Sequence, residues 1–203
     1  MSAIGTLLGA VRQLHQATPS LNGFAPWPDD LSDRQVLPEA VPATTTLGVR
    51  SLRGTRDTAR VIKALLAAAP HLHWKQSYSE EGVGRDFLDA YGYVELFGPG
   101  GHFHSTTLRG YIGYWGPGLT YDWHDHEAEE LYFTLAGSAS FCAKGMPSQV
   151  LRPGQARAHA SNEPHLMATM GQPFLTYALW RGAGMAGLPR MTRGPTAKQL
   201  SAE

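Results

Sequence analysis

Tyr121-Asp-Trp-His124-Asp-His126-Glu-Ala-Glu-Glu130-Leu-Tyr132 gathers two imidazoles, a carboxylate and a phenol into one short stretch. Side chains on a β-strand alternate with period two, so histidines at i and i+2 leave the same face. A helix would bring ligands together at spacings of three or four, as in the HExxH zinc helix. The stretch therefore predicts a metal site carried on a strand, with a further candidate imidazole, His165, downstream. Neutral imidazoles with one carboxylate suit Zn, Fe, Ni or Mn and leave coordination positions open to a substrate.

The surrounding sequence has the texture such a strand needs. From Leu72 onward, short runs rich in aromatic and β-branched residues are broken by Gly92, Gly98-Pro-Gly-Gly101, Gly110, Gly116-Pro-Gly118, Gly137, Gly145 and Pro153-Gly154. Turn signals at such regular intervals predict an all-β barrel or sandwich. Glu130, Tyr132 and Thr134 alternate with Leu131, Phe133 and Leu135, so one strand face is polar and the other apolar. A polar face turned inward marks a site.

The first part of the chain reads differently. Ile4, Leu7, Leu8, Val11 and Leu14 recur at helical spacing until Thr18-Pro19. From Pro19 to about Pro42 no period is sustained, which predicts a connecting arm. A second helix is expected to be capped by Asp57, to present Val61, Ile62, Leu65 and Leu66, and to end at Pro70. The division is then residues 1–71 as a helical extension and arm, 72–190 as the β-barrel with its metal site, and 191–203 as an irregular tail. The apolar helix faces could cover the barrel or meet a twin in a homodimer.

Composition narrows the partners. Lys plus Arg and Asp plus Glu are 17 each in 203 residues, so no charge imbalance draws the chain to nucleic acid or an anionic membrane. A small molecule is the expected ligand. Cys142 is the single cysteine, which excludes an internal disulfide, and the N-terminus lacks the basic start of a secretory signal. Both point to the cytoplasm.

Read from Gly118, the chain gives glycine, five residues, His124, one residue, His126, three residues, Glu130, six residues, Gly137. This resembles the first signature motif of the cupin superfamily. Pro153-Gly154 and Pro164-His165 stand where a looser second motif would lie. The resemblance implies a cupin double-stranded β-helix (jelly-roll) barrel in which His124, His126, Glu130 and His165 surround one divalent transition metal: Fe, Zn, Mn, Ni or Co. His159 competes for the fourth place; the Pro-His pair ahead of Leu166-Met-Ala favours His165.

A finer resemblance rests on residues that the general motif does not require. The run His-x-His-x-Ala-Glu-Glu-x-Tyr from His124 to Tyr132, Tyr121 ahead of it, Gly98-Pro-x-Gly-His-Phe103 and His159-Ala-Ser-Asn-x-Pro-His165 are similar to the cupin lyases of dimethylsulfoniopropionate. The similarity spans roughly residues 74 to 181, and a helical N-terminal part also suits such lyases. It implies a β-elimination that releases dimethyl sulfide and acrylate from a sulfonium carboxylate. Tyr132 matches the proposed base, acting on the α-proton while the substrate carboxylate sits on the metal, and Tyr121 matches a residue that positions substrate or shares the base role. A nearby dication would favour the phenolate form of Tyr132.

The sulfonium needs an aromatic face. Trp180 is the first candidate, equally readable as core, with Trp123, Trp115 and Tyr114 behind it. Trp123 neighbours His124 and faces away from the metal unless the strand bulges. His102 and His104 repeat the i, i+2 spacing without a following carboxylate, and Arg109 and Lys75 are unassigned cations able to meet one. Two other functions share the ligand set: a cupin dioxygenase, and a non-catalytic binding cupin.

Overall fold

The computed structural model describes residues 2–48 and 51–192. Helix α1 (Ala3–Ala17) follows the predicted spacing: the Ser2 side chain accepts from the Gly5 N–H at 3.0 Å, and Leu7, Ala10, Val11 and Leu14 are buried. Pro19 does not open an irregular arm. It starts helix α2 (Pro19–Phe24), at a position where a missing N–H costs nothing. The arm then carries β1 (Ser32–Asp33) and α3 (Thr44–Leu47).

The second predicted helix is α4 (Ala59–Ala68), with Thr58 rather than Asp57 at its N-cap position. Its buried face is Val61, Ile62, Ala64, Leu65 and Ala68, while Leu66 is exposed. Pro70 falls in the closing 3-10 turn Ala69–His71.

Strand β2 (Trp74–Lys75) opens the β-rich part, followed by two short helices in a stretch expected to be strand, α5 (Glu80–Val83) and α6 (Arg85–Ala90). Then come β3 (Tyr91–Gly98), β4 (Phe103–His104), β5 (Arg109–Trp115), β6 (Thr120–Asp125) and β7 (Glu129–Ala136). The last strands are β8 (Ala139–Ala143), β9 (Met146–Leu151), β10 (Ala156–His159), β11 (His165–Thr169), β12 (Phe174–Arg181) and β13 (Arg190–Met191).

These form two sheets. One runs β1-β4-β3-β5-β12-β7-β10 with β2 alongside β3, and the other runs β13-β6-β11-β8-β9. Such a pair is the cupin double-stranded β-helix in its sandwich form. Among the described residues, hydrogen bonding does not join the sheets into a closed cylinder. Of the tail expected to be irregular from residue 191, Met191 instead extends β13 and pairs with His124. Residues 193–203 lie outside the described part.

Strand alternation builds two cores. Leu131, Phe133 and Leu135 of β7, Ile112 and Tyr114 of β5 and Leu179 of β12 face outward into a core shared with α1, α2 and α4. The helices thus cover the larger sheet within one chain. The opposite faces of the same strands, with Tyr132, Tyr111, Trp115 and Trp180, meet Tyr121, Phe141 and Met167 of the second sheet.

Candidate active site

Across four adjacent strands of the larger sheet, Arg109 lies opposite Trp180, Trp180 opposite Glu130, and Glu130 opposite His159. Directly opposed residues point to the same face, so this row projects into the space between the sheets. From the facing sheet come His124 on β6 and its partner His165 on β11, with His126 just beyond the end of β6. The ligand atoms of His126, Glu130 and His165 lie within 4.8 Å of one another, and all three residues are buried.

The imidazole tautomers follow from their partners. Nδ1 of His124 is 2.8 Å from the Asp122 carbonyl, Nδ1 of His126 is 2.8 Å from that of Ala128, and Nδ1 of His165 is 2.8 Å from that of Glu163. A carbonyl oxygen can only accept, so each Nδ1 carries the proton and each neutral ring keeps its lone pair on Nε2. The Nε2 atoms of His124 and His165 are buried without a hydrogen-bond partner. Nε2 of His126 lies 2.9 Å, and that of His165 3.4 Å, from the Glu130 carboxylate. Two Nε2 atoms converging on one carboxylate, on rings oriented through the opposite nitrogen, form a donor set that fits a divalent metal once the His126–Glu130 proton is released. His124 stands slightly apart from the tight trio, its ring centroid 4.1 Å from that of His165.

His159, the rival for the fourth place, is outside the trio. Its Nδ1 meets the Glu163 carboxylate at 2.9 Å and its ring stacks on His165 at 4.0 Å. Burial beside His165 lowers its pKa to about 3. His102 is also away from the site, its Nε2 accepting from the His73 backbone N–H at 3.1 Å.

Burial opposes ionisation of Glu130, but His126, through its charge and hydrogen bond, and His165 outweigh it and hold the carboxyl well below its usual range. Burial likewise opposes protonation of His126, yet Glu130 raises it above the ordinary imidazole value. In the chain by itself these two form an ion pair, and a bound cation would take the place of its proton. The second carboxylate oxygen of Glu130 accepts from the Tyr111 hydroxyl at 2.9 Å and the Trp180 indole N–H at 2.7 Å. Both donors fix the carboxylate's orientation.

Tyr132 leaves β7 on the same face as Glu130 and lines a cavity together with Tyr91, Tyr93, Tyr121, Trp115 and Trp180. The expected acidification of Tyr132 is not a property of the protein groups. Burial, then the Glu130 charge, push its phenol well above the usual tyrosine value. Tyr121 reaches the same cavity despite standing three residues before His124. Between the pairs His165↔His124 and Met167↔Tyr121, β6 spends three residues where β11 spends two. That bulge turns Tyr121 onto the site face. Its ring stacks on His124 at 3.7 Å, and its hydroxyl meets that of Tyr78 at 2.5 Å. Trp123 is buried but does not line the cavity, and Tyr114 packs under the helices.

Trp180 does line the cavity, but its indole N–H is committed to Glu130 and its ring lies 4.2 Å from that of His126. Tyr91, Tyr93, Tyr111 and Tyr78 were not singled out from the sequence. Alternation in Tyr91–Gly98 and Arg109–Trp115 would have grouped Tyr91 with Tyr93 and Tyr111 with Trp115. Which group faces His124 and His126 is decided by strand pairing. Gly113 belongs to the second group as a blank: a Cβ there would stand 2.3 Å from the Trp115 ring, which folds across it.

Comparison with known proteins bears on what this cavity handles. A family model for dimethylsulfoniopropionate lyases matches residues 21–176. The chain is 37% identical over 180 residues to the dimethylsulfoniopropionate lyase DddQ of Ruegeria pomeroyi, covering 89% of this chain and 90% of that protein. The crystal structure of DddQ from that organism superposes with a TM-score of 0.88 at 35% identity, covering 95% of this chain and 98% of the other. A chain from the crystal structures of the lyases RdDddP and RnDddQII superposes with a TM-score of 0.92 at 45% identity, covering 94% and 98%.

Proposed function

The chain belongs to the dimethylsulfoniopropionate lyase family, and we propose that it cleaves this substrate to dimethyl sulfide and acrylate by β-elimination. The observation that carries the reading is the convergence of the buried His126 and His165 Nε2 atoms on Glu130, with His124 and His126 lining a cavity walled by tyrosines. On this reading residues 72–190 hold the chemistry and residues 1–71 cover the sheet that carries it.

His124, His126, Glu130 and His165 are the residues that would hold a divalent metal. Bound there, the metal supplies positive charge that acidifies the proton next to the substrate carboxylate and counters the raised pKa of Tyr132. Tyr132, on the cavity wall beside Glu130, acts as the phenolate that such a charge favours, having lost its own proton to solvent, and takes the α-proton to become the neutral phenol. The C–H electron pair becomes the carbon–carbon double bond, the Cβ–S bond breaks, and its pair stays on sulfur as a neutral thioether. No acid is needed for the leaving group. Tyr121, held by Tyr78 and His124, positions the substrate, and the aromatic walls that include Trp180 accept the sulfonium.

No described helix is long and apolar enough to cross a membrane, and a cytoplasmic enzyme with a small zwitterionic substrate fits the balanced charge. The test is headspace dimethyl sulfide together with acrylate from metal-loaded protein under anaerobic conditions. Equimolar products support the lyase. Substrate loss only when oxygen is present would replace it with a dioxygenase.

A further inference from the structure

Arg109 begins β5 beside Trp180, is buried, and lines the cavity wall, yet the elimination chemistry above gives it no task. Its guanidinium is divided between two duties. One terminal nitrogen meets the Glu95 carboxylate of β3 at 3.1 Å. The other donates to the backbone carbonyls of Met185 at 3.2 Å and Gly187 at 2.8 Å. Glu95 is itself fixed, since its other oxygen accepts from the Gly100 N–H at 2.7 Å and Lys75 stands 3.5 Å away. The guanidinium carbon lies 5.2 Å over the Trp180 ring and 5.5 Å over that of Tyr111.

The carbonyls it holds belong to the crossing from β12 to β13. Gly182 and Gly184 adopt left-handed φ values of 78° and 72°, which lets the segment fold into two successive turns closed by Met185 N–H to Gly182 and Gly187 N–H to Gly184. The crossing ends in Leu188 and Pro189, both of which line the cavity, although Leu188 is 61% exposed. A large apolar side chain left in water at the mouth of a polar site gains a purpose if it closes over bound substrate.

We infer that Arg109, fixed by Glu95, is a positioning residue that holds residues 182–189 across the cavity mouth and thereby sets affinity for the substrate. The inference rests on this cavity being the lyase site. A planar fork can serve a carboxylate and two carbonyls at once, and a lysine ammonium cannot reproduce that geometry. Arg109→Lys keeps the buried charge opposite Glu95, so the fold survives while the crossing is released.

The test uses the metal-loaded full chain. In Arg109→Lys, amide exchange at Met185 and Gly187 should quicken about tenfold or more while β5 and β12 amides keep their protection. Metal content should not change, KM for dimethylsulfoniopropionate should rise about tenfold, and kcat should stay within about threefold. Leu188→Ala, on an exposed side chain that leaves the fold intact, should raise KM by itself but add nothing in the Arg109→Lys background. Unchanged exchange over 182–189, additive KM effects, or a loss confined to kcat would each overturn the inference. Absence of dimethyl sulfide from the unmodified protein would instead sink the lyase reading, and the exchange result would still judge the role of Arg109.

Discussion

His15 and His124 are equally buried, and they show what separates the two cores of this molecule. His15, under the helices, has both nitrogens satisfied: Nε2 donates to the Ala25 carbonyl at 2.9 Å and Nδ1 accepts from the Tyr177 hydroxyl at 2.9 Å. His124, between the sheets, has one partner and a buried Nε2 with none. An unsatisfied buried polar atom costs about 1–3 kcal/mol. The outer core avoids that cost and fills its space with apolar side chains. The inner space accumulates it at His124, His159 and His165, around a carboxylate. Opposite faces of the same strands therefore differ in kind, one filled with apolar side chains that support the fold and the other carrying unsatisfied imidazoles at the fold's expense.

The sharpest way to break this contrast is Tyr132→Phe. It should lower turnover by at least about a hundredfold with metal content and melting temperature retained; near-normal activity would remove Tyr132 as the base. Leu65→Ala, in the outer core, should do the reverse. Removing a fully buried side chain there should cost about 2–5 kcal/mol of stability, read by denaturant titration, while kcat per folded molecule holds. A large fall in kcat would mean the two cores are not separate.

Trp180→Phe keeps the apolar ring but loses the N–H on Glu130, and should weaken metal affinity by about ten- to a hundredfold in a chelator competition. An unchanged affinity would limit Trp180 to the cavity wall.

The smallest effect concerns pH in the metal-free chain. His126 is held above its ordinary value of 6.5, so its contribution to stability is present below that pH and is lost as the pH rises through the folded value. Glu130 is held below its ordinary 4.5, so its contribution is present above that pH and is lost as the pH falls through the folded value. His124 and His159, buried and kept neutral, cost stability in acid but add no further change above pH 6.5. Melting temperature should therefore decline above pH 6.5 in chelator and hold when the metal replaces the proton on His126. A decline of equal size in both conditions would argue against a shared site.

The β-strand character of residues 121–132 was legible because period-two alternation is a local property, although the stretch divides between β6 and β7 and His126 falls just past the end of β6. The helix over Ala3–Ala17 was legible for the same kind of reason, through its apolar period. Pro19 was misread because a proline that ends one helix can also begin the next. Tyr121 shows where local rules stop. Alternation alone sends it away from His124, and only the extra residue of β6 opposite β11 brings the two rings to 3.7 Å.

The sequence by itself determined the donor types, their spacing and the family they resemble, since each depends on neighbours along the chain. The preference for His165 over His159 came from the sequence, and the structure groups His165 with His126 and Glu130. Tertiary structure alone decided that Tyr111 and Trp180 would hold Glu130, and that Arg109 would face the cavity with Glu95 behind it. Those outcomes depend on strand pairing, register and one bulge. Such features are fixed by how two sheets pack over a shared interior, and no short window of sequence contains both partners.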